Sequence, residues 1–350
     1  MKIAVFTGSD LRNYGGGEKD VINWVTRLND ELDITIFTPE DKDKTHHRIK
    51  REDLPDMNIV WYKGKKIRLL KDILPLQKFD LSGYDKVYSM CQGFLLNRKL
   101  MHQSKKFLLG IHAQSTLAKQ PIEPKLWKRI FFKILYPINM HYIKKADEIR
   151  IQNKDDKRRL FVEIGFEGKI WNVPPSMFDT TPEPLESDDF YVIWFNRVTP
   201  EKRPEKLVEI ALALPSIEFH TIGSGPLSYL FDGIPNIRYM GFLPEDRLSE
   251  ELQHAGLCVM TSRGENFGMS AVEAQAYGVP TLSYDVMGLR DYNEVVTSLD
   301  DMIERILWYR DNFENNREHY MNDRKHLREM TLNKFSNRVV IPEIKEMLTK

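Results

Sequence analysis

Residues 257–284, LCVMTSRGENFGMSAVEAQAYGVPTLSY, decide the fold of the region that contains them. The apolar run at 257–260 is typical of a buried strand, and Thr281–Tyr284 is typical of the next strand. Between them the chain favours a helix that ends near Gly278. A strand, a helix and a strand in this order predict a parallel sheet, and such sheets bind ligands beyond the carboxyl ends of their strands.

Glu265 and Glu273 flank the start of this helix, with seven residues between them. On one regular helix, eight steps of about 100° would leave them roughly 80° apart and on no shared face. If the helix begins near Gly268, Glu265 lies in the loop before it and Glu273 in its second turn. The amides of Phe267, Gly268 and Met269 then point outward, where they are able to bind a phosphate or a sugar hydroxyl.

Short apolar strands alternate with amphipathic helices over residues 3–173 and again over 191–284. This alternation predicts an α/β protein with two doubly wound parallel sheets that face each other across a cleft. The proline-containing stretch 174–184 breaks the pattern and is interpreted as the linker. We therefore expect an N-terminal Rossmann-like domain at 1–175 and a C-terminal Rossmann-like domain at 176–334.

The composition excludes several functional classes. A length of 350 residues exceeds what one core usually holds, and a net charge of +0 argues against general electrostatic attraction to nucleic acid. Cys91 and Cys258 are the only cysteines, and both lie in apolar runs, so neither a disulfide framework nor a zinc site is expected. The first residues lack the length of a signal peptide, and no uncharged apolar run reaches about 18 residues. We expect a cytoplasmic protein that does not span a membrane.

Four motifs in the second half resemble the donor site of the family 4 glycosyltransferases, also called glycosyl transferases group 1, which have the GT-B fold. The segment 265–273 resembles their acidic donor motif, with Phe267 and Gly268 between its two glutamates. Residues 196–204 resemble the signature in which an Arg and a Lys five positions later bind the donor diphosphate. Residues 222–227 and 241–244 resemble the turns that surround the base.

The resemblance implies transfer of a sugar from a nucleoside diphosphate sugar to a hydroxyl acceptor, with retention at the anomeric carbon and without a cofactor. It implies that Arg197 and Lys202 bind the diphosphate, Glu273 the ribose and Glu265 the donor sugar. Isolated surface charges, or an acid favoured by the helix dipole, are the alternatives for these side chains. The implied donor residues of this half are Arg197, Lys202, Gly223, Phe242, Leu243, Glu265, Asn266, Phe267, Gly268, Met269 and Glu273, of which Glu265, Arg197 and Lys202 are expected to be catalytic.

In the first half the resemblance adds Gly16 and Gly17 as donor-binding residues and His112 as a catalytic one. The glycines follow the first strand and open a helix, so that backbone amides are able to approach a phosphate. The alternative for the glycines is a flexible turn, and the alternative for His112 is a core histidine. Asn153 is a further candidate for a cleft residue, and the sequence favours neither a functional nor a structural role for it. The resemblance also implies that the final helix, 335–350, crosses back to the first domain.

No metal site is expected. Asp41-Lys42-Asp43 resembles a metal-binding Asp-X-Asp, but its charged surroundings favour a solvated loop. Arg197, Lys202 and amide donors would then neutralise the leaving diphosphate, and turnover should persist with a chelator.

A peripheral membrane contact through residues 119–145 is a further hypothesis, because cations and large apolar side chains mix there at helical spacing. An ordinary core helix, whose apolar stripe packs on the sheet, is the favoured alternative.

The chain departs from the family at 285–291, where only Gly288 remains of the usual paired glycines and glutamate. The strand that normally follows is also expected to be missing, since 294–297 leads quickly into a helix at Leu299. A nucleotide-sugar epimerase, a phosphorylase of similar shape and a noncatalytic nucleotide-sugar binder remain alternatives. The donor base, the sugar and the acceptor have no signal in the sequence.

Overall fold

The computed structural model of the protein describes residues 1–41, 49–67, 72–90, 94–112 and 126–350. Within them the chain forms two compact units. Unit 1 comprises Met1–Met177 and Asn337–Lys350, and unit 2 comprises Phe178–Ser336. The final segment of the chain is therefore part of the same unit as its beginning.

Unit 1 is built on a parallel sheet of seven strands. They are β1 (Lys2–Phe6), β2 (Asp33–Pro39), β3 (Asn58–Tyr62), β6 (Lys86–Ser89), β7 (Phe107–Gly110), β8 (Glu148–Ile151) and β9 (Lys169–Asn172). Their order is β3-β2-β1-β6-β7-β8-β9, and each adjacent pair is parallel. Two further strands, β4 (Gly64–Ile67) and β5 (Asp72–Pro75), form a separate antiparallel pair that the sequence did not predict.

Helices cover both faces of this sheet. They are α1 (Gly16–Leu28), α2 (Phe94–Met101), α3 (Leu126–Ile143), the short α4 (Lys154–Arg158) and, after the helices of unit 2, α10 (Asn337–Thr349). One core contains side chains of α2 and α3, and the other contains side chains of α1 and α10. Because both faces are covered, the central strands β6 and β7 are buried along their length.

Unit 2 is built on a parallel sheet of six strands in the order β12-β11-β10-β13-β14-β15. The strands are β10 (Tyr191–Phe195), β11 (Glu218–Ile222), β12 (Ile237–Gly241), β13 (Leu257–Met260), β14 (Thr281–Tyr284) and β15 (Glu294–Val296). Its helices are α5 (Pro204–Ala213), α6 (Glu245–His254), α7 (Met269–Ala276), α8 (Leu299–Asn315) and α9 (Arg317–Phe335). Two cores again lie on the two faces of the sheet.

The predicted fold class is confirmed, since each unit is a doubly wound parallel sheet covered by helices. The prediction that no strand follows β14 before α8 is wrong. Glu294–Val296 forms β15 and pairs in parallel with β14, with Val295 opposite Ser283. A run of three residues is too short to show a hydrophobic period, so its pairing depends on the neighbouring strand. None of the described helices is both long and apolar enough to cross a bilayer.

Candidate functional site

The four loops that carry the predicted donor residues of unit 2 emerge from one edge of its sheet. They follow the carboxyl ends of β10, β11, β12 and β13, and parallel strands have these ends at a common edge. Backbone hydrogen bonds join neighbouring loops. The Asn196 amide donates to the Ile222 carbonyl at 3.0 Å, and the Gly223 amide donates to the Gly241 carbonyl at 2.7 Å. The four motifs are therefore brought together.

Two glycines allow the loop after β11 to lie directly on the loop that carries Arg197. A Cβ atom on Gly223 would lie 1.9 Å from the Asn196 carbonyl oxygen, and one on Gly225 would lie 2.2 Å from the Val198 carbonyl oxygen. Gly223 also has a φ of +125°, which favours glycine. Backbone contact at these points positions the Arg197 loop, and the Arg197 side chain is exposed.

Lys202 and Glu265, predicted to bind the diphosphate and the sugar, form a largely buried ion pair with each other. The Lys202 ammonium donates to Oε1 of Glu265, which also accepts the Ser262 hydroxyl at 2.6 Å. The Thr261 hydroxyl donates to the Lys202 carbonyl at 2.7 Å, which ties the two loops together. A cation and a carboxylate thus lie one hydrogen bond apart at the edge of the sheet.

The loop before α7 ends at Gly268, which has a φ of +82° and directly precedes the first helical residue, Met269. Phe267 is buried, and its ring lies 5.3 Å from that of Tyr292 and 5.5 Å from that of Phe335. The backbone from Phe267 to Met269 is thereby anchored on an aromatic cluster at the start of α7. Glu273 is half-buried on this helix.

Gly288, the only residue left of the usual paired glycines and glutamate, packs against the donor motif. Its φ is +90°, and a Cβ atom there would lie 2.5 Å from the Asn266 carbonyl oxygen and 2.6 Å from that of Glu265. The loop after β14 therefore supports the backbone of Glu265 and Asn266 from behind. A side chain at this position would displace the acidic loop.

The loop after β12 presents the predicted base-side residues. Phe242 is 63% exposed, whereas Leu243 is partly buried against the core that includes Cys258. An exposed aromatic ring at a sheet edge offers a stacking surface to a planar ligand.

In unit 1 the predicted glycines lie at the start of α1, after the carboxyl end of β1. Gly15 precedes the helix, and Gly16 is its first residue. The Glu18 carboxylate lies beside Gly15 and accepts the Ser9 hydroxyl. Gly16 and Gly17 were predicted to let backbone amides approach a phosphate at this helix start. The Glu18 carboxylate already lies there, and its negative charge would repel a bound phosphate unless the side chain turned away.

His112 follows β7, at the same edge of the unit 1 sheet as the glycines. Its Nε2 lies 2.5 Å from the Tyr88 hydroxyl, and its Nδ1 lies 3.2 Å from the Gln152 amide. Burial and the nearby Arg150 guanidinium hold the pKa of His112 well below its ordinary value. A neutral imidazole with both ring nitrogens engaged is thus present at this edge.

A buried ion pair that the sequence did not predict lies behind His112. Arg150 donates to Asp20 at 2.9 Å and to the Tyr88 hydroxyl at 3.1 Å, and both partners are fully buried. Asp20 also accepts the Ser176 amide at 2.7 Å, at the end of unit 1. The available signal was Arg150 itself, a charge between two isoleucines in a strand of a parallel sheet, where burial requires a partner.

Other candidates have structural roles or lie outside the described residues. The Asn153 side chain caps α4 by accepting the Asp156 amide at 2.8 Å. Of Asp41-Lys42-Asp43, only Asp41 is described, and its amide donates to Asp10 at 2.8 Å. In the described part of the chain, no three His, Cys, Asp or Glu side chains are placed to hold a metal ion.

Comparison with known proteins relates unit 2 to a family. Residues 178–295 match the family model described as Glycosyl transferases group 1. A D-inositol 3-phosphate glycosyltransferase of Mycobacteroides abscessus is 28% identical over 159 residues, which cover 41% of this chain and 36% of the relative. The match thus spans about a third of the length of that relative.

Solved structures resemble the whole chain. Sucrose-phosphate synthase from Thermosynechococcus elongatus matches with a TM-score of 0.76 and 15% identity, over 99% of this chain and 98% of that one. Anabaena HepE, solved in complex with UDP-glucose, matches with a TM-score of 0.72 and 15% identity, over 100% and 99%. At this identity the likeness establishes the GT-B fold alone, and the family match over residues 178–295 is what relates unit 2 to the group 1 glycosyltransferases.

Proposed function

We propose, from the match of unit 2 to the group 1 glycosyltransferases, that this protein transfers a sugar from a nucleoside diphosphate sugar to a hydroxyl acceptor. The observation that carries the proposal is the contact between Lys202 and Glu265 among the four loops at the edge of the sheet. A cation beside a carboxylate is suited to a donor in which a diphosphate adjoins a sugar with several hydroxyl groups. Burial of such a pair contributes little to stability, so a role in binding accounts for it better.

In this proposal Lys202 leaves Glu265 and binds the diphosphate together with Arg197. Negative charge grows on the diphosphate as the glycosidic bond breaks, and fixed cations stabilise that charge. Arg197 is exposed, and within the described residues no carboxylate pairs with it, so its guanidinium is available to a phosphate. Two protein cations take the place of a metal ion here, so transfer should continue in the presence of a chelator.

Glu265, released from Lys202, would accept hydrogen bonds from hydroxyls of the donor sugar, and Glu273 would accept those of the ribose. The backbone amides of Asn266, Phe267 and Met269 at the start of α7 would donate to the same ligand. The base would lie near Gly223, Phe242 and Leu243, where the exposed Phe242 ring supplies a stacking surface.

We propose that the reaction retains the anomeric configuration. The bond from the anomeric carbon to the phosphate oxygen breaks, and the acceptor oxygen bonds to the same face. The proton of the acceptor hydroxyl passes to the departing phosphate oxygen, so no protein nucleophile is required. From unit 1, His112 would contact the sugar, and Gly16 and Gly17 would approach the phosphate once Glu18 turns away.

Substitution of either partner of the ion pair tests the proposal, because the two variants should differ in their affinity for nucleoside diphosphates. Glu265→Gln should bind UDP, GDP or ADP at least as tightly as the parent protein, because Lys202 is no longer paired. Its transfer rate from a labelled nucleotide sugar should fall roughly a hundredfold, since an interaction with the reacting sugar is lost. Lys202→Met should weaken nucleoside diphosphate binding by roughly ten- to a hundredfold.

Lys206→Met is the matched control, because Lys206 is a partly exposed lysine on α5 that pairs with Glu209. It should leave binding and transfer unchanged, and thermal unfolding of all three variants shows whether they are folded. Full transfer activity in Glu265→Gln would remove the role given to that carboxylate. Binding without any product in the parent protein would favour a noncatalytic binder.

We further propose that unit 1 docks on an anionic membrane surface through α3. This helix has two apolar faces: Met140 and Ile143 lie in the core, whereas Ile130, Ile134 and Ile138 are 52%, 64% and 41% exposed. These three isoleucines are four residues apart and form one outward stripe. A core helix, the alternative favoured by the sequence, accounts for the inner face only.

Cations and a second apolar pair accompany the stripe. Lys133, Lys144 and Lys145 are exposed, and Phe161 and Val162 are exposed on the π-helical turn that follows α4. This turn shares a core with α3, because Leu160 and Ile164 of the turn lie in the same buried cluster as Met140 and Ile143. Apolar side chains that enter the headgroup region beside lysines are the features of an interfacial helix on anionic lipid.

Cosedimentation with phosphatidylcholine vesicles, with and without phosphatidylglycerol, tests this docking. The parent protein should bind only the anionic vesicles, and high salt should weaken binding because the lysines are exposed. A variant with serine at all three isoleucines of the stripe should lose most of the binding. Leu212→Ser, which changes an exposed leucine on α5 of unit 2, is the control. Absence of binding by the parent protein at low salt would contradict the proposal.

A further inference from the structure

The hydrogen bonds around His112 depend on where one proton lies. The Tyr88 hydroxyl is 2.5 Å from Nε2 of His112 and 3.1 Å from the Arg150 guanidinium nitrogen that donates to it. Within the described part of the chain, the hydroxyl has no other hydrogen-bonding partner. Burial raises the pKa of Tyr88 to about 12, so the hydroxyl keeps its proton at neutral pH.

Among the residues that the structure describes, the Tyr88 hydroxyl proton has one acceptor. Arg150 has no acceptor atom, so the Tyr88 proton is either donated to Nε2 of His112 or left unpaired at a fully buried site. An unpaired buried donor is costly. If Tyr88 donates to Nε2, the neutral imidazole carries its own proton on Nδ1, facing Gln152.

Gly110 shows that the contact between Tyr88 and His112 is built into the fold. It ends β7, and a Cβ atom there would lie 2.6 Å from Nε2 of His112 and 2.7 Å from the Tyr88 hydroxyl oxygen. Only a residue without a side chain leaves room for the imidazole to meet the hydroxyl at this point. The Arg150 guanidinium behind them is fixed in turn by Asp20 and by the Val173 carbonyl at 3.1 Å.

We propose that Tyr88 and Arg150 are positioning residues that keep His112 neutral and in its Nδ1–H tautomer. His112 then presents a hydrogen-bond donor at the edge of the sheet. It carries no charge, and it does not take the proton from the hydroxyl group of the sugar acceptor. The structure places the Gln152 amide nitrogen 3.2 Å from Nδ1, so the proposal requires this amide to be rotated by 180°. Nδ1–H then donates to the Gln152 side-chain carbonyl, and a sugar hydroxyl would take over that contact. The role toward a sugar rests on the proposed function, whereas the tautomer does not.

The opposite tautomer is the competing arrangement. It has the Gln152 side-chain NH2 group donating to Nδ1 and Nε2–H pointing at the Tyr88 oxygen, and it leaves the Tyr88 proton unpaired. The oxygen and nitrogen of a glutamine amide are interchangeable by rotation, so the two arrangements share the same positions of heavy atoms. They differ in which residue sets the tautomer: Tyr88 in the proposal, Gln152 in the alternative.

Nuclear magnetic resonance of the protein labelled with nitrogen-15 histidine decides between them without any substrate. The signals of His112 are identified by their loss in His112→Asn. We expect the Nδ1–H tautomer with no protonation across the ordinary titration range of histidine, because burial and Arg150 hold the pKa of His112 well below its ordinary value. An Nε2–H tautomer, or titration near the ordinary pKa, would overturn the proposal.

Substitutions separate the two partners. In Tyr88→Phe, His112 should become a mixture of the Nδ1–H and Nε2–H tautomers. In Gln152→Met, it should remain in the Nδ1–H tautomer. Tyr320→Phe is the control, since it removes another buried tyrosine hydroxyl, one that donates to the Gly256 carbonyl in unit 2. The control should not change the His112 signals. If Gln152→Met shifts the tautomer and Tyr88→Phe does not, Gln152 is the determinant and the proposal is wrong.

Transfer assays then connect the tautomer to the reaction. In Tyr88→Phe the transfer rate should fall roughly tenfold and become dependent on pH between about 5 and 7, because part of the imidazole is now able to ionise. A purely structural role would lower stability without this change of pH profile. Unchanged rate and pH profile, with a confirmed tautomer, would leave the positioning intact but show that His112 does not contact the sugar, which contradicts its role in transfer.

Discussion

At the scale of single residues, two of the buried acids in unit 1, Asp20 and Asp156, have very different surroundings. Asp20 accepts hydrogen bonds from Arg150 and from the Ser176 backbone, so its charge is paired. Asp156 is also buried, but its Oδ1 has no hydrogen-bonding partner within the described residues. Burial therefore raises the pKa of Asp156 to about 6. The paired Asp20 stabilises the folded state, whereas the ionised Asp156 lowers the free energy of unfolding at neutral pH.

Asp156→Asn should stabilise the protein at neutral pH. Because the folded-state pKa of Asp156 is raised, its protonated form stabilises the native state fully below about pH 4, and this contribution is lost as the pH rises through about 6. The variant should match the parent protein near pH 4 and be more stable at pH 7.5 by up to about 3 kcal/mol. Urea unfolding at both pH values measures the difference.

Asp155→Asn is the control for this effect, since Asp155 lies on the same turn but is in contact with solvent. It should change the free energy of unfolding little at either pH. An Asp156→Asn protein that is less stable than the parent at pH 7.5 would show that the ionised carboxylate contributes more through Arg159 than its burial costs.

At the scale of elements, the candidate site of unit 2 depends on close backbone packing between loops. Gly223, Gly225 and Gly288 each lie where a Cβ atom would overlap a carbonyl oxygen of a neighbouring loop. The loops that carry Arg197 and Glu265 are positioned by these contacts, so their geometry depends on glycines as well as on the side chains proposed to bind the donor.

Gly223→Ala should therefore lower stability and nucleotide binding together. Its Cβ atom would meet the Asn196 carbonyl oxygen, and its φ of +125° is unfavourable for alanine, so we expect a loss of about 3 kcal/mol or more. Gly233→Ala is a matched control, because Gly233 also has a positive φ, of +74°, but has open space around its Cβ position. It should cost only about 1 kcal/mol and leave binding unchanged. Equal effects of the two variants on binding would contradict the packing argument.

Elements that show a local pattern are predictable from the sequence. The central strands of both units are runs of four or five buried residues, and the start of α7 follows from Gly268 and the spacing of Glu265 and Glu273. By contrast, β15 has three residues and no period, so only its pairing with β14 reveals it.

Partners that are distant in the chain are not predictable in this way. Asp20 and Arg150 are 130 positions apart, and the local sequence around either residue does not indicate the other as its partner. The motif predicts Lys202 and Glu265 as two separate ligands of a donor, but it does not predict that they pair with each other. Both cases depend on tertiary contacts, which local spacing does not encode.

At the scale of the whole molecule, unit 1 is discontinuous in the chain. Its last helix, α10, follows unit 2 and buries four apolar side chains in the core beside α1, namely Val340, Ile344, Met347 and Leu348. The Met347 carbonyl also accepts a hydrogen bond at 2.8 Å from the buried Lys86 ammonium, which is paired with Glu148. The first unit is therefore completed by residues that follow unit 2 in the chain.

Truncation after Ser336 should unfold unit 1 and spare unit 2. Burial of the four side chains contributes roughly 6 to 12 kcal/mol, as much as the whole free energy of unfolding of a typical domain. Removal of α10 also leaves the Lys86 ammonium with one partner fewer. We expect one thermal transition instead of two, and rapid proteolysis within 1–177. A protein that lacks only Thr349 and Lys350, which are exposed, is the control and should behave like the parent. Resistance of residues 1–177 to protease in the longer truncation would show that the remaining core suffices, and that α10 is an accessory rather than a part of the unit.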